Sequence, residues 1–81
     1  MNQSDDIIAL AHQLRLGHSL QAVQTLPDLL DRVARQSSTW GTERQAYLPI
    51  LIRQMLAQQE REDWLGLADN LEYELLTLLE P

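Results

Sequence analysis

Aliphatic residues recur at three- and four-residue spacing along this chain, and that rhythm predicts helices. Ile7, Leu10, Ala11 and Leu14 fall at i, i+3, i+4 and i+7, one apolar face of a helix over about 5–16. Ser4 can cap it, Asp5 and Asp6 complement the dipole of its first turn, and Gly17 offers a stop. A second stretch follows Ser19, with Val23, Leu26, Leu30 and Val33 on one face. Pro27 interrupts it. A proline inside a helix costs ~3 kcal/mol, whereas one in the first turn is tolerated. Thr25-Leu26-Pro27-Asp28 reads as a capping box. The stretch 19–36 is therefore expected to break near Pro27, with a single kinked helix as the alternative.

Gln36-Ser37-Ser38-Thr39-Trp40-Gly41 is the clear loop. Thr42 and Gln45 form another capping box and open a third helix over about 43–61. Leu48, Leu51, Ile52 and Met55 share its face, and Pro49 predicts a kink or a later start. In a fourth helix over about 63–79, Trp64, Leu67, Ala68, Leu71, Leu75 and Leu78 lie in a narrow arc. Continuing the third stripe at the same pitch would put Trp64 ~160° off its face. The polar run Glu60-Arg61-Glu62-Asp63 is where the stripe is expected to be re-phased, which favours two helices, with one frayed but continuous helix as the alternative. Leu26-Pro27-Asp28-Leu29-Leu30 echoes Leu48-Pro49-Ile50-Leu51-Ile52, a match short enough for chance in a leucine-rich chain. The expected fold is all-α, a single compact domain of three or four antiparallel helices with short connections.

Composition narrows the picture. A chain of 81 residues buries only about 60% of its unfolded surface, so a homodimer is a further expectation. Without cysteine there is neither a disulfide nor a thiolate zinc site, and a reducing cytoplasm suits the chain. No apolar run is long enough to span a membrane, and the first residues lack the basic region of a signal peptide. Charge is uneven. Residues 1–59 balance five acids (Asp5, Asp6, Asp28, Asp31, Glu43) against five arginines (Arg15, Arg32, Arg35, Arg44, Arg53). Residues 60–81 hold seven acids (Glu60, Glu62, Asp63, Asp69, Glu72, Glu74, Glu80) against Arg61, so the net charge of −6 resides there. Phosphates and anionic lipid would be repelled, which excludes nucleic acid and membrane surfaces from the expected partners.

No pattern points to catalysis, and the chain is expected not to be an enzyme. His12 and His18 straddle Gly17 and do not share the i, i+4 face of a zinc helix. There is no Gly-x-Ser-x-Gly elbow and no glycine-rich phosphate loop, so no metal and no cofactor is expected. Asp69 and Glu72 show none of the asymmetry a catalytic carboxylate pair requires. Trp40 is expected to fold over the helix ends, and Trp64 to join the core.

The candidate binding surface is on the last helix. Leu65, Asp69, Glu72 and Leu76 follow at i, i+4, i+7 and i+11 beside the core stripe, with Tyr73 adjacent. An apolar strip bearing two carboxylates suits a basic or amphipathic helical segment of a protein partner. The plain alternative is that the leucines widen a helix contact while the acids face water.

The stretch Asp63-Trp64-Leu65-Gly66-Leu67-Ala68-Asp69-Asn70-Leu71-Glu72-Tyr73-Glu74-Leu75 resembles an Asp-aromatic-x-x-Leu-Ala-Asp-x-Leu-Glu-Tyr-Glu-Leu segment of small uncharacterised bacterial helical proteins, some associated with motility. In size, charge and helicity the chain is also similar to the small acidic chaperones of flagellar and type III export, which shield a partner's amphipathic helix. These resemblances imply a protein-binding module, an export chaperone or adaptor, and mark Glu72-Tyr73-Glu74 as the place to look. The alternative expectation is an acidic inhibitor or immunity-type protein that neutralises a basic enzyme.

Overall fold

The computed structural model describes residues 3–79. Four helices follow one another: α1 (Gln3–Arg15), α2 (Ser19–Gln36), α3 (Thr42–Glu60) and α4 (64–79). A short 3-10 turn, Ser37–Thr39, closes α2. No strand occurs among the described residues, and the fold is an all-α bundle. Its smallest dimension, 19 Å, is about two helix diameters, so the helices form two layers. α1 packs on α2 and on α4, and α3 covers the other flank of α4.

Neighbours run antiparallel, as the side-chain bonds between them show. Arg32 Nη1 near the end of α2 donates to Asp6 Oδ2 near the start of α1, at 3.1 Å. Tyr47 Oη donates to Glu74 Oε2 at 3.2 Å, and Arg44, one turn earlier, reaches the carbonyl of Leu78. The core is aliphatic. Ile7, Leu29, Val33, Leu51, Met55, Leu71 and Leu75 are fully buried, and no polar or charged residue among those described is buried with them.

The two prolines do not break their helices. α2 runs unbroken through Pro27, so the single-helix alternative replaces the expected break, and α3 runs through Pro49 without the later start. Both rings are exposed, while Leu26, Leu29 and Leu30 around the first and Leu48 and Leu51 around the second are buried. Each buried leucine contributes roughly 1.5–3 kcal/mol, so two or three offset the ~3 kcal/mol a proline costs. The capping boxes are not made either. Thr25 lies inside α2, and its hydroxyl donates to the Gln21 carbonyl. Gly41, not Thr42, occupies the cap position of α3. Gln45 instead donates its amide to the carbonyls of Ser37 and Trp40, closing the end of the preceding turn. α1 is already helical at Gln3, so Ser4 lies within its first turn.

Connections α1–α2 and α3–α4 are built alike. His18 N–H donates to Gln13 O at 2.8 Å and Gly17 N–H to Leu14 O at 3.2 Å, the paired bonds of a Schellman motif. Asp63 N–H to Gln58 O at 2.8 Å and Glu62 N–H to Gln59 O at 3.1 Å repeat it. The left-handed position is Gly17 in the first (φ 85°) and Glu62 in the second (φ 60°). Asp63 then caps α4, its Oδ1 accepting from Gly66 N–H at 3.1 Å. A Cβ at Gly66 would come within 2.4 Å of Asp63 Oδ2, so a side chain there would displace the capping carboxylate.

α4 is not a uniform α-helix. Its segments are Trp64–Asp69 (α), Asn70–Leu75 (π) and Leu76–Leu79 (α). Buried Leu67, Leu71 and Leu75 are followed by half-buried Leu79, each four residues after the last. In a 3.6-residue helix every such step drifts ~40°, and the wider π turn cancels the drift. Trp40 folds down as expected, only 9% exposed, with the Arg44 guanidinium 4.5 Å from its ring centroid. Trp64 is half-buried against the core.

Candidate functional site

The sequence places Leu65, Asp69, Glu72, Tyr73 and Leu76 on one helix, and the packing sorts them into different environments. Leu65, in the first turn of α4, is 64% exposed, and Tyr73 is 63% exposed. Leu76 is half-buried. The i, i+11 relation between Leu65 and Leu76 assumes α pitch throughout. The π turn intervenes and rotates Leu76 away from Leu65 toward the interior.

Asp69 and Glu72 meet a cation from the other end of the sequence. Arg15, the last residue of α1, sends Nη2 to Asp69 Oδ1 at 2.8 Å and Nη1 to Glu72 Oε2 at 2.9 Å. One guanidinium fork thus spans two carboxylates about one turn apart, a geometry arginine supplies and lysine does not. Partial burial works against the Arg15 charge. The hydrogen bond to Asp69 and the charge of Glu72 outweigh it and hold the guanidinium above its ordinary range. The Glu72 side chain is the more covered of the two acids, at 24% exposure against 64% for Asp69.

On the opposite flank Glu74 accepts from Tyr47 of α3. Burial pushes the Tyr47 hydroxyl above its usual value, with the hydrogen bond and charge of Glu74 adding to the effect. Glu72 is therefore held toward α1 and Glu74 toward α3, which leaves Tyr73 on the outward crest between them. Asn70 Nδ2 donates to Gln58 Oε1 and links the π turn to α3, while Thr77 Oγ1 donates to the Tyr73 carbonyl within α4 itself. Arg44, donating Nε to the Leu78 carbonyl at 3.1 Å, neutralises the negative end of α4.

Two participants carry no mark in a sequence reading. Nothing local links Arg15 to Asp69, 54 residues away, or to Glu72 beyond it. Arg44 likewise reaches across 34 residues. A third pair does carry a signal. Leu16, in the turn after α1, and Leu20, off the apolar stripe of α2, are both exposed, at 71% and 74%. Among the described residues no group of three His, Cys, Asp or Glu is placed to hold a metal ion, and no helix is long and apolar enough to cross a membrane.

The chain matches no protein-family model, and neither curated proteins nor solved structures match it.

Proposed function

We propose that this protein is a protein-binding module, of export-chaperone or adaptor type, acting in a reducing cytoplasm. It works by holding a basic or amphipathic segment of a partner against the outer face of α4, without turnover. The observation that carries the reading is the exposure of Leu65 and Tyr73, 64% and 63%, on a helix whose Leu67, Leu71 and Leu75 are at most 1% exposed. A tyrosine offers a large contact area at low entropic cost, and an exposed leucine beside it adds apolar area to remove from water. The net charge of −6 draws a basic segment in and sets the on-rate and specificity. Within the surface the acids have divided roles. Arg15 holds Glu72 in the bundle, while Asp69 keeps most of its side chain in water.

The test is affinity capture from native lysate with identification by mass spectrometry, comparing wild type with Leu65→Ser/Tyr73→Ser. Both side chains are mostly exposed, so the variant is expected to fold, which circular dichroism checks. A specific partner held by wild type, lost by the variant and released as salt rises is the expected result. A partner retained equally by the variant, or insensitive to salt, overturns the reading. Charge reversal at Asp69 and Glu72 is the poorer test, because it also sets like charges against Arg15 and loosens α1 on α4.

A further inference from the structure

Resting on the reading of α4 above, we infer that the binding surface continues onto the α1–α2 corner, where Leu16 and Leu20 join Leu65 in one apolar platform for an amphipathic helix with a cationic border. Leu16 and Leu20 are the most exposed large apolar side chains among the described residues, at 71% and 74%. Isolated surface leucines are ordinary, but a group of them at one place marks an interaction surface. The topology brings these together. α1 touches the last turn of α4 as well as its first segment, and its C-terminal Arg15 bonds Asp69, so the two helices run antiparallel. The corner beyond Arg15 thus stands beside the start of α4. Leu16 is the residue after Arg15, and Leu65 lies one turn before Asp69, so the ion pair joins the two halves of the platform.

The border decides the occupant. Glu60, Glu62 and Asp63 are exposed in the turn that leads into α4, and the Asp69 side chain is 64% exposed. Arg15 is engaged by Asp69 and Glu72, which leaves Arg61 as the cation of that turn. A second copy would bring the same acids against this rim, and like charges oppose it. A helix with aliphatic residues at i, i+3, i+4 and i+7 and lysine or arginine beside them satisfies both the apolar centre and the acidic edge.

The test uses a designed peptide of about 18 residues, roughly five helical turns, with leucine on one face and lysine on the other. A scrambled peptide of the same composition is the control. Fluorescence anisotropy against the 81-residue chain is expected to show binding of the amphipathic peptide only, weakening with salt. Leu16→Ser/Leu20→Ser is expected to lower the affinity about tenfold or more, and the milder Leu20→Gln follows the same direction with the fold checked by circular dichroism. If the corner variants bind as wild type while Leu65→Ser/Tyr73→Ser does not, the extension is wrong and the α4 reading stands. No binding by wild type, or equal binding of the scrambled peptide, overturns the inferred partner. A wild-type dimer in sedimentation that Leu16→Ser/Leu20→Ser makes monomeric overturns it in favour of a second copy.

Discussion

Glu62 holds a left-handed conformation, φ 60°, that its counterpart Gly17 adopts without a Cβ penalty. For a non-glycine residue this costs roughly 1–2 kcal/mol, partly offset by the greater chain entropy of glycine. Glu62→Gly is therefore expected to raise stability by about 1 kcal/mol in urea unfolding, with an unchanged slope. Tyr47 gives a pH signature. Its folded hydroxyl titrates above the unfolded value of 10.0, so between the two the native state keeps a proton the unfolded chain has released. Its stabilising contribution is complete below pH 10 and is lost as pH rises through the folded value. Melts at rising pH are expected to show a loss of stability above about pH 10 that Tyr47→Phe reduces. At this scale the sequence was legible where side chains act locally, as with Asp63 at the start of α4 or Trp40 turning inward. It was not legible where a partner lies far along the chain, as Asp69 does for Arg15.

Helix boundaries set by stop signals and helix interiors set by burial behave differently. Gly17 and the polar run before Trp64 end helices because the chain there has no apolar stripe to defend. Pro27 carries an equally strong local stop, and α2 runs through it because Leu26, Leu29 and Leu30 bury only if the helix is continuous. Since Pro27 is exposed and donates no bond to the Val23 carbonyl, Pro27→Ala is expected to stabilise the fold by about 1–3 kcal/mol, measured by thermal and urea unfolding. The π turn has a legible trace in the spacing of Leu67, Leu71, Leu75 and Leu79. A scheme of uniform 100° steps still counts that stripe as one arc, so the trace passes unseen until the hydrogen bonds are known. The same scheme places Leu76 beside Leu65, where the structure does not leave it.

For the whole molecule, a domain of 81 residues has roughly 4–12 kcal/mol of net stability. Leu71→Ala, at 0% exposure, is expected to cost about 2–5 kcal/mol, a large share of that total. Arg15→Met is expected to cost under ~1 kcal/mol, since partly exposed ion pairs contribute little. Urea unfolding of the two variants ranks them, and a larger loss for Arg15→Met would make the ion pair, not the apolar contact, the bond between first and last helices. The sequence by itself determined the helical class, the apolar stripes of α1 and α4 and the concentration of charge in the last quarter. Each depends on periodicity or composition, which neighbours in sequence fully specify. Only the tertiary structure decided that two prolines stay inside helices, that Arg15 engages Asp69 and Glu72 of α4, and that Leu16, Leu20 and Leu65 stand exposed. Those outcomes depend on which side chains burial brings together, and burial is a property of the packed molecule rather than of any window along the chain.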